Sequence, residues 1–191
     1  MDADFATPRA AEYIALLESR LPDKTLRHVQ SVAGLMLTFT EAAGISDEQA
    51  VTAGLLHDLC KAYPKEALRE KALSYGLTEH LDNPNLLHGP ASAVECREDL
   101  GIEDEEVLSA IHYHTTGKAP WNSVGCALYV ADFAEPLRTI PEAQHARELL
   151  TSKGYRVALD YVVETRLAHV RKRYGINEDT EAFSRWLKER D

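Results

Sequence analysis

The sequence predicts an all-α fold. Three observations lead there. Apolar residues recur at helical spacing along nearly the whole chain, no run alternates with the period of a strand, and glycine, proline and aspartate mark short connections between the periodic segments. Pro8 to Leu21 reads as a short opening helix. In the next, Leu26, Val29, Ala33, Met36, Leu37 and Thr40 keep the spacing, with Asp23 as its cap and Gly44 as its stop. Ser46 followed by Gln49 has the form of a capping box and opens a helix through Ala50, Ala53 and Leu56 to about Cys60. Pro64 starts a helix that ends near Tyr75-Gly76. Asp82-Asn83-Pro84-Asn85 is a loop, and a helix begins at Leu87-His88-Gly89-Pro90 and runs to about Leu100. Glu103 to His112, Trp121 to Glu135, Pro141 to Ser152, Tyr155 to Tyr174 and Asp179 to Arg190 complete the series. No Gly/Ser linker divides the chain. The expectation is one domain over residues 1–191, with a core of about 20–150 and C-terminal helices over about 155–190.

Composition narrows the function classes. Of 191 residues, 45% are hydrophobic, enough to fill a core without disulfides. Cys60, Cys96 and Cys126 are odd in number and show no CxxC spacing, which suits a reducing compartment. The start, Met1-Asp2-Ala3-Asp4, lacks the basic-then-apolar pattern of a leader, and no apolar run approaches the roughly 18 residues of a membrane span. A soluble cytoplasmic protein without membrane association is expected. The formal net charge of −10 argues against a nucleic-acid partner but not against a small anionic substrate. A homodimer is a further expectation, on which the charge does not bear.

The chemistry lies in the histidines and two aspartates. His57-Asp58 ends the apolar run Gly54-Leu55-Leu56. His28 heads the stripe His28, Val32, Leu35, Phe39. His88 follows Leu86-Leu87, His112 and His114 flank Tyr113, and Asp132 follows Tyr129-Val130-Ala131. Any one of these alone would most often be a satisfied core residue. Together they are costly to bury without partners, and grouping them around cations satisfies them all. His112 and His114, two apart, point in different directions on a helix, and His114 adjoins the loop that could touch substrate. Six mixed nitrogen and oxygen ligands exceed the needs of one tetrahedral zinc and fit two ions sharing a carboxylate. Iron, manganese, cobalt and zinc are all compatible with such ligands. Metal-assisted hydrolysis is the reaction class this implies.

Longer strings then carry a resemblance. Ala53-Gly54-Leu55-Leu56-His57-Asp58-Leu59-Cys60-Lys61, Leu87-His88-Gly89-Pro90, Ala110-Ile111-His112-Tyr113-His114-Thr115-Thr116-Gly117 and Tyr129 to Arg138 resemble the YqeK-type subgroup of HD-domain metal-dependent phosphohydrolases, the symmetrical bis(5′-nucleosyl)-tetraphosphatases. The resemblance implies an HD-type helical bundle with a dinuclear centre in its core, of iron in the family's usage, and cleavage of diadenosine tetraphosphate into two ADP by attack of a metal-bound hydroxide on phosphorus. It implies that His28, His57, Asp58 and Asp132 hold one ion, and that His88 and His114, with Asp58 bridging, hold the other. Lys61 and Arg138 are then candidates to meet phosphate charge, and Thr115, Thr116 and Gly117 to form a phosphate loop. The bland alternatives are a solvated lysine, an Arg138 salt bridge with Glu135 or Glu142, and an ordinary loop. Tyr63, Tyr113 and Trp121 are candidates to stack on adenine, and Lys65 and Arg147 are weaker cation candidates. Two competing readings are another HD-type nucleotide phosphohydrolase and a nucleotide-binding metalloprotein without turnover.

Overall fold

The computed structural model describes residues 5–190, so the acidic start Met1-Asp2-Ala3-Asp4 lies outside it, as does Asp191. The described residues form eleven α-helices and no strand: α1 (Ala10–Arg20), α2 (Asp23–Leu37), α3 (Thr40–Ala43), α4 (Asp47–Leu56), α5 (Lys65–Ser74), α6 (Pro84–Glu98), α7 (Glu105–Tyr113), α8 (Ser123–Ala134), α9 (Pro141–Ser152), α10 (Tyr155–Tyr174) and α11 (Glu178–Glu189). None is long and apolar enough to cross a membrane. Helix α8 explains the arrangement. Every residue from Val124 to Ala134 is buried, so this helix must be covered on all sides. Helices α2, α4 and α7 pack on one side of it, α9 and α10 on the other, and α6 lies on α7. Met36, Leu55, Leu56, Ile111 and Leu128 fill the first interface, and Tyr129, Val162, Val163 and Phe183 the second. Asp132 enters this core because it belongs to α8.

Three boundaries differ from the sequence expectation. The segment from Asp23 to Gly44 is two helices. Thr38 turns its hydroxyl back onto Leu35 O (2.7 Å), and Phe39 leaves the helix to stack on Tyr155 at 5.3 Å. Helix α4 ends at Leu56 rather than near Cys60, and residues 57–62 follow as turns, closed by Leu59 N–H to Leu56 O (3.1 Å) and Lys61 N–H to Asp58 O (2.9 Å). Helix α6 starts at Pro84, because Asn83 caps it through Asn85 N–H (3.2 Å), and Pro90 sits inside it. The capping box of Ser46 and Gln49 forms as expected and Gly44 stops α3 with φ of 68°, but Asp23 is not a cap: it is the first residue of α2, Pro22 stands at the cap position, and no side chain caps that end.

Two glycines set the distances between helices. A Cβ on Gly54 would lie 2.6 Å from Ala33 Cα, so α2 and α4 touch backbone to backbone there. A Cβ on Gly89 would lie 2.7 Å from His112 O, which fixes α6 against the end of α7. The first contact sits between His28 and His57, the second between His88 and His114. Gly54→Ala should therefore force α2 from α4 and cost roughly 1–3 kcal/mol by overpacking. Urea unfolding checks this, and an unchanged midpoint would mean the helices separate freely.

A buried carboxylate anchors the turn after α4. Glu95 of α6, 1% exposed, is held by Arg20 of α1 and by Lys71 of α5 (2.9 Å), and it accepts the Cys60 thiol at 3.1 Å. Ser92 Oγ accepts Cys60 N–H at 3.0 Å. Burial pushes the Glu95 pKa up, but Lys71, Cys60 and Arg20 outweigh it and hold it below the usual value. Such a group contributes stability that is present above its unfolded pKa of about 4.3 and is lost as pH falls through the lower folded value. Glu95→Gln should cost about 1.5–3 kcal/mol at neutral pH. The gap from the parent should shrink on acidification below about pH 4.3. Equal urea midpoints at neutral pH would contradict this.

Candidate metal centre

Five elements bring their polar groups to one point. His28 comes from α2, His57 and Asp58 from the turn after α4, His88 from α6, His114 from the residue after α7, and Asp132 from α8. His57 is 0% exposed, His88 1% and His114 3%. Asp58 lies among them. Its Oδ1 is 3.0 Å from His88 Nε2 and 3.5 Å from His114 Nε2, and its Oδ2 is 3.7 Å from His57 Nε2 and 4.0 Å from His28 Nε2. His28 Nε2 is also 3.3 Å from Asp132 Oδ1.

The backbone decides which ring nitrogen carries the proton. His57 Nδ1 faces Gly54 O (2.9 Å), His88 Nδ1 faces Pro84 O (3.1 Å) and His114 Nδ1 faces Ile111 O (2.8 Å). A carbonyl oxygen can only accept, so each Nδ1 donates and each Nε2 presents a lone pair. Burial pushes the His57 pKa down to about 3 and lowers that of His88, so neither ring gains a second proton. The result is a concentration of acceptors. His88 Nε2 and His114 Nε2 are 3.0 Å apart, and His57 Nε2 and Asp58 Oδ1 have no hydrogen-bond donor. Lone pairs held this close repel unless a cation lies between them. The set fits divalent ions. His28, His57 and Asp132 form one group whose ligand atoms lie within 4.8 Å of one another, and His57, Asp58 and His114 form a second.

The side facing His28 is more exposed and more strongly charged. His28 Nδ1 lies 3.2 Å from Glu135 Oε1. Burial pulls the His28 pKa down, but Asp132 and Glu135 prevail and raise it to about 9. The local field thus favours positive charge at this spot, proton or metal alike. Asp132 is held well below the usual carboxylate range. Burial opposes this, and Arg138, His28 and Arg166 more than offset it.

Not every expected residue points inward. Lys61 does: its Nζ is 3.2 Å from His88 Nε2 and 3.7 Å from Asp58 Oδ1. Thr115 Oγ1 lies 3.3 Å from His114 Nε2. Thr116 and Gly117 turn away. Both N–H groups donate to Tyr113 O, the Thr116 hydroxyl donates to Gly117 O, and Gly117 lies against the Phe183 ring. Arg138 donates to Asp132 Oδ1 at 2.7 Å, rather than to Glu135 or Glu142. Trp121 is core, edge-on to Tyr129 and Phe183. Tyr63 packs beside Leu68 and Leu87, and Arg147 caps the end of α8 through Ala134 O (2.8 Å). Lys65 is exposed, and His112 stands outside the cluster on the far side of α7, its pKa pushed down to about 4 by burial.

Two residues were missed by sequence reasoning. Glu135 was noted only as a partner for Arg138, yet it is 2% exposed and orients His28. Arg166 of α10 binds Asp132 Oδ2 (3.2 Å) and Thr115 O (3.1 Å), with its guanidinium 4.0 Å above the Tyr129 ring. One side chain thereby ties a carboxylate of the cluster to the loop beside His114. Its only sequence signal was an arginine on the apolar face of α10, between Val162-Val163 and Leu167.

Known proteins bear on this cluster. The HD domain family matches residues 25–157. The symmetrical bis(5′-nucleosyl)-tetraphosphatase of Bacillus subtilis (strain 168) is 28% identical over 178 residues, covering 92% of this chain and 96% of its own. The protein of the same name from Staphylococcus aureus is 33% identical over 141 residues, 73% of each chain. A crystal structure from Clostridium acetobutylicum, described as a predicted HD superfamily hydrolase involved in NAD metabolism, superposes with a TM-score of 0.85 at 27% identity over 95% of this chain and 97% of that one. The matched segment contains His28, His57-Asp58, His88, His114 and Asp132, and divalent-metal binding accounts for the crowded acceptors of which His57 Nε2 and Asp58 Oδ1 lack a donor: this chain belongs to the HD domain family.

Proposed function

We propose that the protein is a metal-dependent phosphohydrolase that cleaves diadenosine tetraphosphate symmetrically into two ADP. The observation that carries the hydrolase reading is the convergence of three imidazole Nε2 lone pairs on the Asp58 carboxylate, with His57 Nε2 and Asp58 Oδ1 left without a donor. The choice of substrate is supported by the tetraphosphatase relatives that align over most of the chain. In this reading His28, His57, Asp58 and Asp132 hold one divalent ion, and His88 and His114 hold a second, with Asp58 shared. Iron is the metal the family resemblance suggests, and manganese, cobalt or zinc fit the same ligands. When bound, the ions supply Lewis acidity that neutralises phosphoryl charge and acidifies water.

The protein's own groups do the rest. The three carbonyls behind His57, His88 and His114 fix the ring orientations in advance, so little reorganisation is needed when substrate arrives. Asp58 is held ionised: burial opposes this, and the surrounding imidazoles and Lys61 prevail. Lys61, half-exposed on its side chain, can swing from His88 to a phosphate as a point charge. Arg138, also half-exposed, can exchange part of its contact with Asp132 for a phosphoryl oxygen. The Thr115 hydroxyl offers a donor next to His114.

Chromatography of the products from diadenosine tetraphosphate tests the reading. Two ADP are expected, with His57→Ala, which removes a metal ligand in this reading, reducing turnover by about a thousandfold or more. ATP plus AMP, or no turnover with iron, manganese, cobalt or zinc supplied separately, would overturn it.

A further inference from the structure

Helix α10 supplies none of the ligands assigned to the metal centre, yet Arg166 on it reaches the cluster at two points. One arm of the guanidinium, Nη1, donates to Asp132 Oδ2 at 3.2 Å. The other, Nη2, donates to Thr115 O at 3.1 Å and to His114 O at 3.4 Å. Asp132 belongs to one ion and His114 to the other in the assignment above. The side chain is therefore a strap between the two halves of the centre. It joins a carboxylate on α8 to the backbone that carries an imidazole.

An arginine suits this task because its donors sit on a rigid planar fork. The surroundings fix the plane of that fork. The guanidinium carbon stands 4.0 Å from the centre of the Tyr129 ring. Tyr129 and Asp132 are three apart on α8 and share a face, so the aromatic floor and the carboxylate lie on the same side of the helix. Tyr129 is fully buried and held edge-on by Trp121 and Phe183. Val162, Val163 and Leu167 bury the adjoining stretch of α10, and only 17% of the Arg166 side chain is exposed.

Asp132 does not depend on Arg166 alone, since Arg138 donates to its other oxygen at 2.7 Å. What Arg166 adds is the second attachment. His114 and Thr115 lie just past the end of α7, where the last carbonyls of a helix lack intrahelical partners. Ile111 O sets the turn of the His114 ring, and the strap sets where its backbone stands relative to Asp132. Two effects of the arginine oppose each other. Its charge repels a divalent cation, and its fork holds ligands where that cation needs them. Loss of an outer partner of a metal ligand typically costs about 10–100-fold in affinity, so position outweighs a charge already shared with Asp132.

We propose that Arg166 is a positioning residue that couples the two ion sites, by holding Asp132 and the His114–Thr115 backbone at a fixed separation. The inference rests on the metal-centre reading above. Competition between the full chain and a chromophoric chelator for cobalt(II) measures the affinity of each site. The cobalt absorption bands report ligand geometry, and urea unfolding of the metal-free chain reports stability. Arg166→Lys keeps the charge and replaces the fork with a point donor. It should weaken both ions about tenfold or more and shift the cobalt bands. Arg166→Met should also weaken both, although it removes a repelling charge. Unchanged affinities and bands in Arg166→Lys, tighter binding in Arg166→Met, or a loss confined to one ion would overturn the proposal. A lower urea midpoint with parental cobalt affinity would mean a merely structural arginine and overturn it too. Should Arg166→Met fail to fold, Arg166→Lys decides alone. A parent that binds no cobalt would sink the metal-centre reading itself, whereas a parent that binds and variants that match it sink this proposal only.

Discussion

Everything in this structure is organised around a set of acceptors that cannot coexist without positive charge. Three buried imidazoles have their Nδ1 protons committed to backbone carbonyls, so their Nε2 lone pairs converge on the Asp58 carboxylate. In an interior of low dielectric the mutual repulsion is poorly screened, and unpaired polar groups cost several kcal/mol each. A fold that retains such a cluster needs a cation to complete it. The binding energy of that cation then becomes part of the stability of the folded state.

The helices serve this convergence. Close contact at Gly54 sets His28 against His57, and close contact at Gly89 sets His88 against His114. Helix α8, buried along its length, carries Asp132 into the core, where Arg138 and Arg166 keep it ionised. Glu95, through Cys60, pins the turn that places Asp58. A substitution at any of these points changes distances between ligands by fractions of an ångström, which is the scale on which metal geometry is decided.

Much of this was legible in the sequence. Helical spacing and capping signals located nearly every element, and histidines beside apolar runs marked the cluster. What escaped was long-range or set by local competition. Phe39 leaves its helix for Tyr155, more than a hundred residues away, and nothing in the local spacing announces that. The start of α6 was hidden because Asp82-Asn83-Pro84-Asn85 reads as a loop, whereas Pro84 sits at a first-turn position where no N–H is required. Arg166 was invisible because arginines on long helices are usually solvated. Thr116 and Gly117 looked like phosphate donors by composition, but their N–H groups are used in closing the turn on Tyr113.

The central claim is that Asp58 joins two groups of histidine ligands into one dinuclear centre. Metal content per folded chain, measured by elemental analysis after equilibrium dialysis for the parent and for Asp58→Asn, tests it most directly. The account predicts about two ions for the parent and at most about one for the variant, since an amide oxygen carries no charge to share. An Asp58→Asn chain that keeps two ions with unchanged affinity, or a parent that binds none, would contradict it.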